Sequence, residues 1–165
     1  MRHSFLHNTV IVHHHRRRDH INIIIIIIII SSSSIRDSID VLKAVRIGHG
    51  IAAATDQSLM DELVARDIVL EVCPTSNICT RAVDEIEDHP FNILMESGVR
   101  VTLNSDDPGM FDTDLNREYL VANEQFGLDA AALTELARES VRASFAPDAV
   151  RSRLLAEIDA YANTP

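Results

Sequence analysis

The chain has 165 residues, of which 46% are hydrophobic and 24% charged, and its formal net charge is −10. That apolar content excludes a wholly disordered or fibrous chain, and two cysteines exclude a disulfide-held scaffold and fit a reducing, cytoplasmic setting. The acidic balance excludes a general nucleic-acid binder, which needs clustered Lys and Arg to neutralise phosphates.

The average conceals two unlike pieces. Residues 1–34 hold four arginines against one aspartate, net +3, while residues 35–165 hold eleven basic and twenty-four acidic residues, net −13. Six of the eight histidines lie in the first piece, which includes the runs His13 to His15, Ile23 to Ile30 and Ser31 to Ser34. CAT, ATC and TCA encode His, Ile and Ser and are the three frames of one repeated trinucleotide. Residues 1–34 are therefore read as a low-complexity leader from simple-repeat DNA or a misplaced start, disordered or artefactual. The apolar stretch from Ile21 to Ile30 covers about half of the roughly 20 residues a membrane-spanning helix needs, so no membrane partner is read. No small-residue cleavage site follows it, which argues against a secretory signal.

From residue 35 the pattern alternates. Ile35, Ile39 and Leu42 form one helical stripe in 35–44, and RIGHG (46–50) reads as a short strand, 45–49, entering a loop. A helix over 57–65 has Asp56 as its cap, and the β-branched run 68–73 is a buried strand stopped by Pro74. His89-Pro90 opens a further helix, Gly98 ends it, and 99–104 is the third strand. SDDPGMF (105–111) is its exit loop. Helices follow at about 114–126, 130–144 and 148–161, the last with Val150, Leu154, Ile158 and Tyr161 on one face. Strand–loop–helix units of this length imply an α/β fold with three parallel strands and flanking helices. No Gly-rich phosphate fingerprint follows any strand. Polar residues gather instead at all three strand ends: His49; Thr75, Ser76 and Asn77; and Asn104 to Asp107.

Asp106 and Asp107 point to opposite sides unless the backbone turns, so one carboxylate can take a metal while the other meets a ligand. His49 lies between two glycines that leave room beside its ring. Cys73 and Cys79 lack the Cys-x-x-Cys spacing of a zinc or redox element and read as core thiols. Met60, Met95 and Met110 read as packing.

RIGHG, LEVCPTSN, HPFNILMESGVRVTLNSDDPGMF, LNREY and the ASF element at Ala143 to Phe145 together resemble the C-terminal half of the adenosine deaminase family, from about Ser34 to Tyr161. That family belongs to the metal-dependent amidohydrolase-like TIM barrels. The resemblance makes the three strands the sixth to eighth of a (β/α)8 barrel, with catalytic groups at their C-terminal ends. It implies a hydrolase of purine and nucleotide metabolism that uses one zinc ion per complete site and replaces the 6-amino group of a small-molecule aminopurine or nucleoside by oxygen, releasing ammonia. His49 then orients and helps deprotonate the zinc-activated water, Asp106 ligates the zinc, and Asp107 hydrogen-bonds the purine at N7. Adenosine, 2′-deoxyadenosine, adenine and 6-aminodeoxyfutalosine all remain open as substrates.

The sequence departs from the family's pattern. Neither its His-x-His pair at the first barrel strand nor its His-Ala-Gly-Glu element at the fifth occurs, since His13 and His15 lie in a poly-His tract. Residues 35–165 are also fewer than the roughly 200 a TIM barrel needs. The expectation is a partial domain, inactive as written, with bare apolar strand edges open to self-association. A non-catalytic remnant associating through those edges, or another amidohydrolase-type barrel hydrolase, are the alternatives.

Overall fold

A computed structural model describes residues 10–17, 20–27 and 31–164, with side chains from Ser31 onward. Five strands form one sheet in the spatial order β1 (Val10–Arg17), β2 (His20–Ile27), β3 (Arg46–His49), β4 (Val69–Val72) and β5 (Arg100–Leu103). The three expected strands are β3, β4 and β5, each one or two residues shorter than the apolar runs that announce them. They pair in parallel, with Gly48 opposite Glu71 and Glu71 opposite Thr102.

The leader adds two strands. Where no regular structure is expected, the backbone of 10–17 and 20–27 forms an antiparallel pair, and β2 runs parallel to β3 with Ile27 opposite His49. The β3 edge, expected to be bare, is therefore covered. β-Branched isoleucine suits extended backbone, and the unpaired N–H and C=O groups of β3 offer a ladder to complete.

The helices are set by local caps. Helix α1 (Ser32–Asp40) begins ahead of the expected 35–44 because the Ser31 hydroxyl accepts from the Ser34 N–H. Asp56 caps α2 (Gln57–Ala65) as expected, and Asp114 and Asp129 cap α6 (Leu115–Phe126) and α7 (Ala130–Ala143) in the same way. The segment read as the exit loop after β5 is partly helical, forming the short α5 (Pro108–Phe111), and α3 (Pro74–Cys79) follows β4, each with Pro in its first turn. Helix α4 (Phe91–Glu96) returns the chain from β4 to β5.

Strand alternation sorts the sheet into two faces. Ile47, Leu70, Val72, Val101 and Leu103 join Leu59, Leu63, Phe91 and Leu94 in the hydrophobic core under α2 and α4. The opposite face carries Arg46, Glu71, Arg100 and Thr102. There Arg46 pairs with Glu71, donates to the Ala143 carbonyl at 3.1 Å and lies over the Phe145 ring, while Arg100 pairs with Glu139 of α7 at 2.5 Å. The ASF element thus closes off the base of the polar face.

Helix α8 (Asp148–Ala162) keeps Val150, Leu154 and Ile158 of its expected apolar face half-buried. None of its residues is buried, and Tyr161 is 83% exposed, although the helix packs on α7. Among the described residues, no helix is long and apolar enough to cross a membrane.

Candidate active site

The ends of β3, β4 and β5 lie side by side because the strands are parallel and in register. Two of them turn through left-handed backbone. His49 has φ 59° and Asp106 φ 57°, a region that His and Asp enter more readily than most side chains but at some cost. The turn takes His49 out of strand alternation. Gly50 continues it at φ 67°, and a Cβ there would sit 2.7 Å from a Leu70 methyl, so both conformation and space require glycine.

Asp106 and Asp107 diverge although the backbone turns at Asp106. Asp106 Oδ2 accepts from the Ser76 hydroxyl at 2.7 Å and lies 3.5 Å from His49 Nε2. Asp107 faces the other way, exposed, and its Oδ1 accepts from the Met110 N–H at 3.0 Å to cap α5. His49 is 2% exposed, and its Nδ1 meets the Asn77 amide nitrogen at 3.2 Å. The Asn77 carbonyl oxygen in turn meets His89 Nε2 at 3.1 Å. Burial pushes the His49 pKa below the usual imidazole value, against an upward pull from Asp106. Burial alone takes His89 down to about 4, so its ring is neutral at pH 7.

Cys73 belongs to this site and not only to the core. Its buried thiol is pushed well up by desolvation and then by the Asp106 and Glu118 charges, so with nothing bound it is protonated and inert. The donor atoms of His49, Cys73 and Asp106 all lie within 4.8 Å of one another. Nitrogen, sulfur and oxygen are zinc's ordinary donors. The Asp106 carboxylate and the Cys73 sulfur, once deprotonated, fit a zinc ion, and His49 could join them only through a bare Nε2, because its Nδ1 faces Asn77. A cavity of about 410 Å³, lined by His49, Glu71, Cys73, Asn104 and Asp106 among others, opens beside these donors.

The other sulfur readings divide. Cys79 is exposed on α3, not a core thiol, and Met110 is 73% exposed, whereas Met60 is buried as expected. In both corrections a short helix after a strand end turns the side chain away from the sheet.

Sequence reasoning passes over Asn77, His89 and Glu118 as working parts. Glu118, fully buried, accepts from the Thr113 hydroxyl at 2.6 Å and from the Thr75 N–H at 3.2 Å, so the LNREY segment clamps the start of α3. The available signal was polarity within apolar surroundings: Asn77 before Ile78, His89 before Phe91, and Glu118 on a helix with Ala122 and Phe126 below it.

The family model described as adenosine deaminase matches residues 29–161. The chain belongs to the adenosine deaminase family. Two aminodeoxyfutalosine deaminases are similar to it: one from Streptomyces avermitilis is 49% identical over 128 residues, 78% of this chain and 36% of that protein. The other, from Streptomyces coelicolor, is 52% identical over 120 residues, 73% of this chain and 31% of that protein. Among solved structures, an adenine deaminase from Arthrobacter aurescens superposes with a TM-score of 0.79 at 35% identity, covering 81% of this chain and 41% of its own. The chain thus spans about a third of the length of these curated relatives. Strands β3, β4 and β5 with their flanking helices are part of a deaminase barrel, as the resemblance implies.

Proposed function

We propose that this chain carries the C-terminal strand-end part of the active site of a zinc-dependent aminopurine deaminase, which hydrolyses the exocyclic 6-amino group to a 6-oxo product and ammonia. The observation that supports this best is the divergence of the Asp106–Asp107 doublet: one carboxylate is turned in to His49 and Ser76, the other out.

In this reading Asp106 holds the zinc, with its carboxylate fixed by the Ser76 hydroxyl. Zinc in such a site supplies Lewis-acid activation of water near neutral pH. His49, beside Asp106 and shielded from solvent, orients the attacking water. Asp107 keeps Oδ1 on the Met110 N–H, and its other oxygen meets the purine edge at N7 through a proton held between the two acceptors. Residues 35–165 form the partial deaminase unit and 1–34 lie outside it; the family match begins close to that boundary, at residue 29. The substrate class is a purine base or nucleoside with a 6-amino group, the setting is cytoplasmic, and the outer edge of β5, which no described strand covers, is where copies associate.

The 165-residue chain alone is expected to show no deamination, because it contains neither the His-x-His strand-end pair nor the His-Ala-Gly-Glu element that the family resemblance implies. A chimera tests the reading: residues 35–165 replace the matching part of the Streptomyces avermitilis relative. The expected result is zinc-dependent ammonia release from adenine, adenosine or aminodeoxyfutalosine, lost on Asp106→Ala. A folded, zinc-loaded chimera inert on all three would overturn it.

A further inference from the structure

We propose that Asn77, anchored by His89, is a positioning residue that holds His49 in the tautomer carrying its proton on Nε2. This rests on the reading of His49 as a site residue and deepens it, because the tautomer decides what His49 offers to the cavity.

The starting point is a buried chain of three side chains. Asn77 is fully buried, and His49 and His89 are 2% and 6% exposed. The Asn77 amide lies between the two rings, 3.2 Å from His49 Nδ1 and 3.1 Å from His89 Nε2. An amide has two unlike ends: its NH2 only donates and its oxygen only accepts. With the nitrogen toward His49, His49 Nδ1 must be a bare acceptor and His89 Nε2 must carry a proton. The proton of neutral His49 is then on Nε2.

Both ends of the chain independently select this orientation. At one end, His49 Nε2 faces Asp106 Oδ2 at 3.5 Å. An N–H there points at a carboxylate, whereas the reversed amide would leave two lone pairs facing each other. At the other end, His89 Nδ1 is buried with no partner among the described residues. With Nε2–H donating to Asn77, that orphan is a lone pair. The reversed amide would make it an unpaired buried N–H, which folded proteins tolerate least. His89 cannot swing away to relieve either problem, because its ring lies 6.3 Å from Phe91 and 5.4 Å from Phe126, which stack on each other at 4.9 Å. The aromatic pocket fixes His89, His89 fixes the amide, and the amide fixes His49.

The consequence is specific. His49 presents a hydrogen-bond donor, not a lone pair, toward Asp106 and the cavity. It orients an oxygen that accepts from Nε2–H, and the proton on the attacking water leaves to another group.

Long-range 1H–15N correlation spectra of the histidine rings test this in the 165-residue chain, with His49→Gln assigning the His49 resonances. The expected wild-type result at neutral pH is a pyrrole-type Nε2 and a pyridine-type Nδ1 for His49. Asn77→Asp, which puts only acceptors against Nδ1, should move the proton to Nδ1 and exchange the two nitrogen shifts. His89→Phe, which keeps the aromatic packing but removes the donor, should release the amide and average the shifts, whereas His89→Gln, which keeps a donor, should restore the wild-type pattern. Backbone amide spectra confirm that each variant is folded. A wild-type His49 protonated on Nδ1 would overturn the proposal, as would shifts unmoved by His89→Phe in a folded chain. Neither readout uses zinc or turnover, so failure of the deaminase reading leaves this result standing, and the converse holds too.

Discussion

His49 and Asp106 are two strands apart in the sheet, yet His49 Nε2 and Asp106 Oδ2 lie 3.5 Å apart, and both residues turn out of their strands through left-handed backbone, at φ 59° and 57°. Each such turn costs on the order of 1–3 kcal/mol and persists only where surrounding contacts hold it. Here the contacts are Asn77 on one ring nitrogen of His49 and Ser76 on the Asp106 carboxylate. Helix α3 therefore supplies the supports, and the flanking strands supply the groups that are supported.

Removing the Ser76 hydroxyl should loosen the metal site without unfolding the chain. Hydrogen bonds that orient a carboxylate ligand typically matter by about 10–100-fold in metal affinity. Ser76→Ala is expected to weaken zinc binding by that factor, read by competition with a chromophoric chelator. Unchanged affinity would place the zinc away from Asp106.

Gly50→Ala should destabilise the fold. The substitution meets both the positive φ and the Leu70 methyl 2.7 Å from the new Cβ, and a loss of about 1–3 kcal/mol follows. Urea denaturation measures it. A neutral result would mean that the His49–Gly50 turn adopts another backbone conformation.

Glu118→Leu should cost about 2–3 kcal/mol, because it strands the Thr75 N–H and leaves the buried Thr113 hydroxyl without its acceptor. Glu118→Gln keeps an acceptor oxygen and should cost less than about 1 kcal/mol. Equal losses for the two substitutions in urea melts would mean that packing, and not the hydrogen bonds, is what Glu118 provides.

Stability should fall on mild acidification. Burial holds the folded His89 pKa at about 4, below the ordinary unfolded value of about 6.5, and His49 is lowered in the same direction. The unfolded chain therefore binds more protons. The stabilisation is fully present above about pH 6.5 and is lost as the pH falls toward 4, on the order of 3 kcal/mol for His89. Because carboxylates titrate in the same range, the decisive quantity is the difference between wild type and His89→Gln in urea midpoints at pH 7 and pH 4.5. The wild type should lose more.

Much of the site was legible because its residues stand beside punctuation. Pro74, Pro108 and the glycines flanking His49 mark where strands stop, and parallel strands stop on one side of a sheet. His49, Asp106 and Asp107 could therefore be picked out from strand ends and family spacing together. Cys73 was set aside as a core thiol because sequence spacing to Cys79 is the wrong measure. Its neighbours at the site are His49, 24 positions earlier, and Asp106, 33 positions later. Asn77 reads only as a strand-end polar residue and His89 only as a helix opener for the same reason: each is an ordinary polar residue until the fold places one between two rings. The apolar stripe of α8 was legible as a 3.6-residue period, but only the neighbouring α7 decided that Val150, Leu154 and Ile158 are half-buried while Tyr161 is exposed.

The sequence by itself determined the alternation of strands and helices, the caps, the strand ends and the family. These follow from local backbone chemistry and from residue order, which survive without knowledge of any contact. Tertiary structure decided how Asp106 and Asp107 divide, which thiol faces the site, how the ASF element meets Arg46, and the Asn77 bridge that selects a proton position on His49. Those outcomes depend on distances between strands far apart in sequence and on burial, where a single unpaired N–H outweighs any local preference.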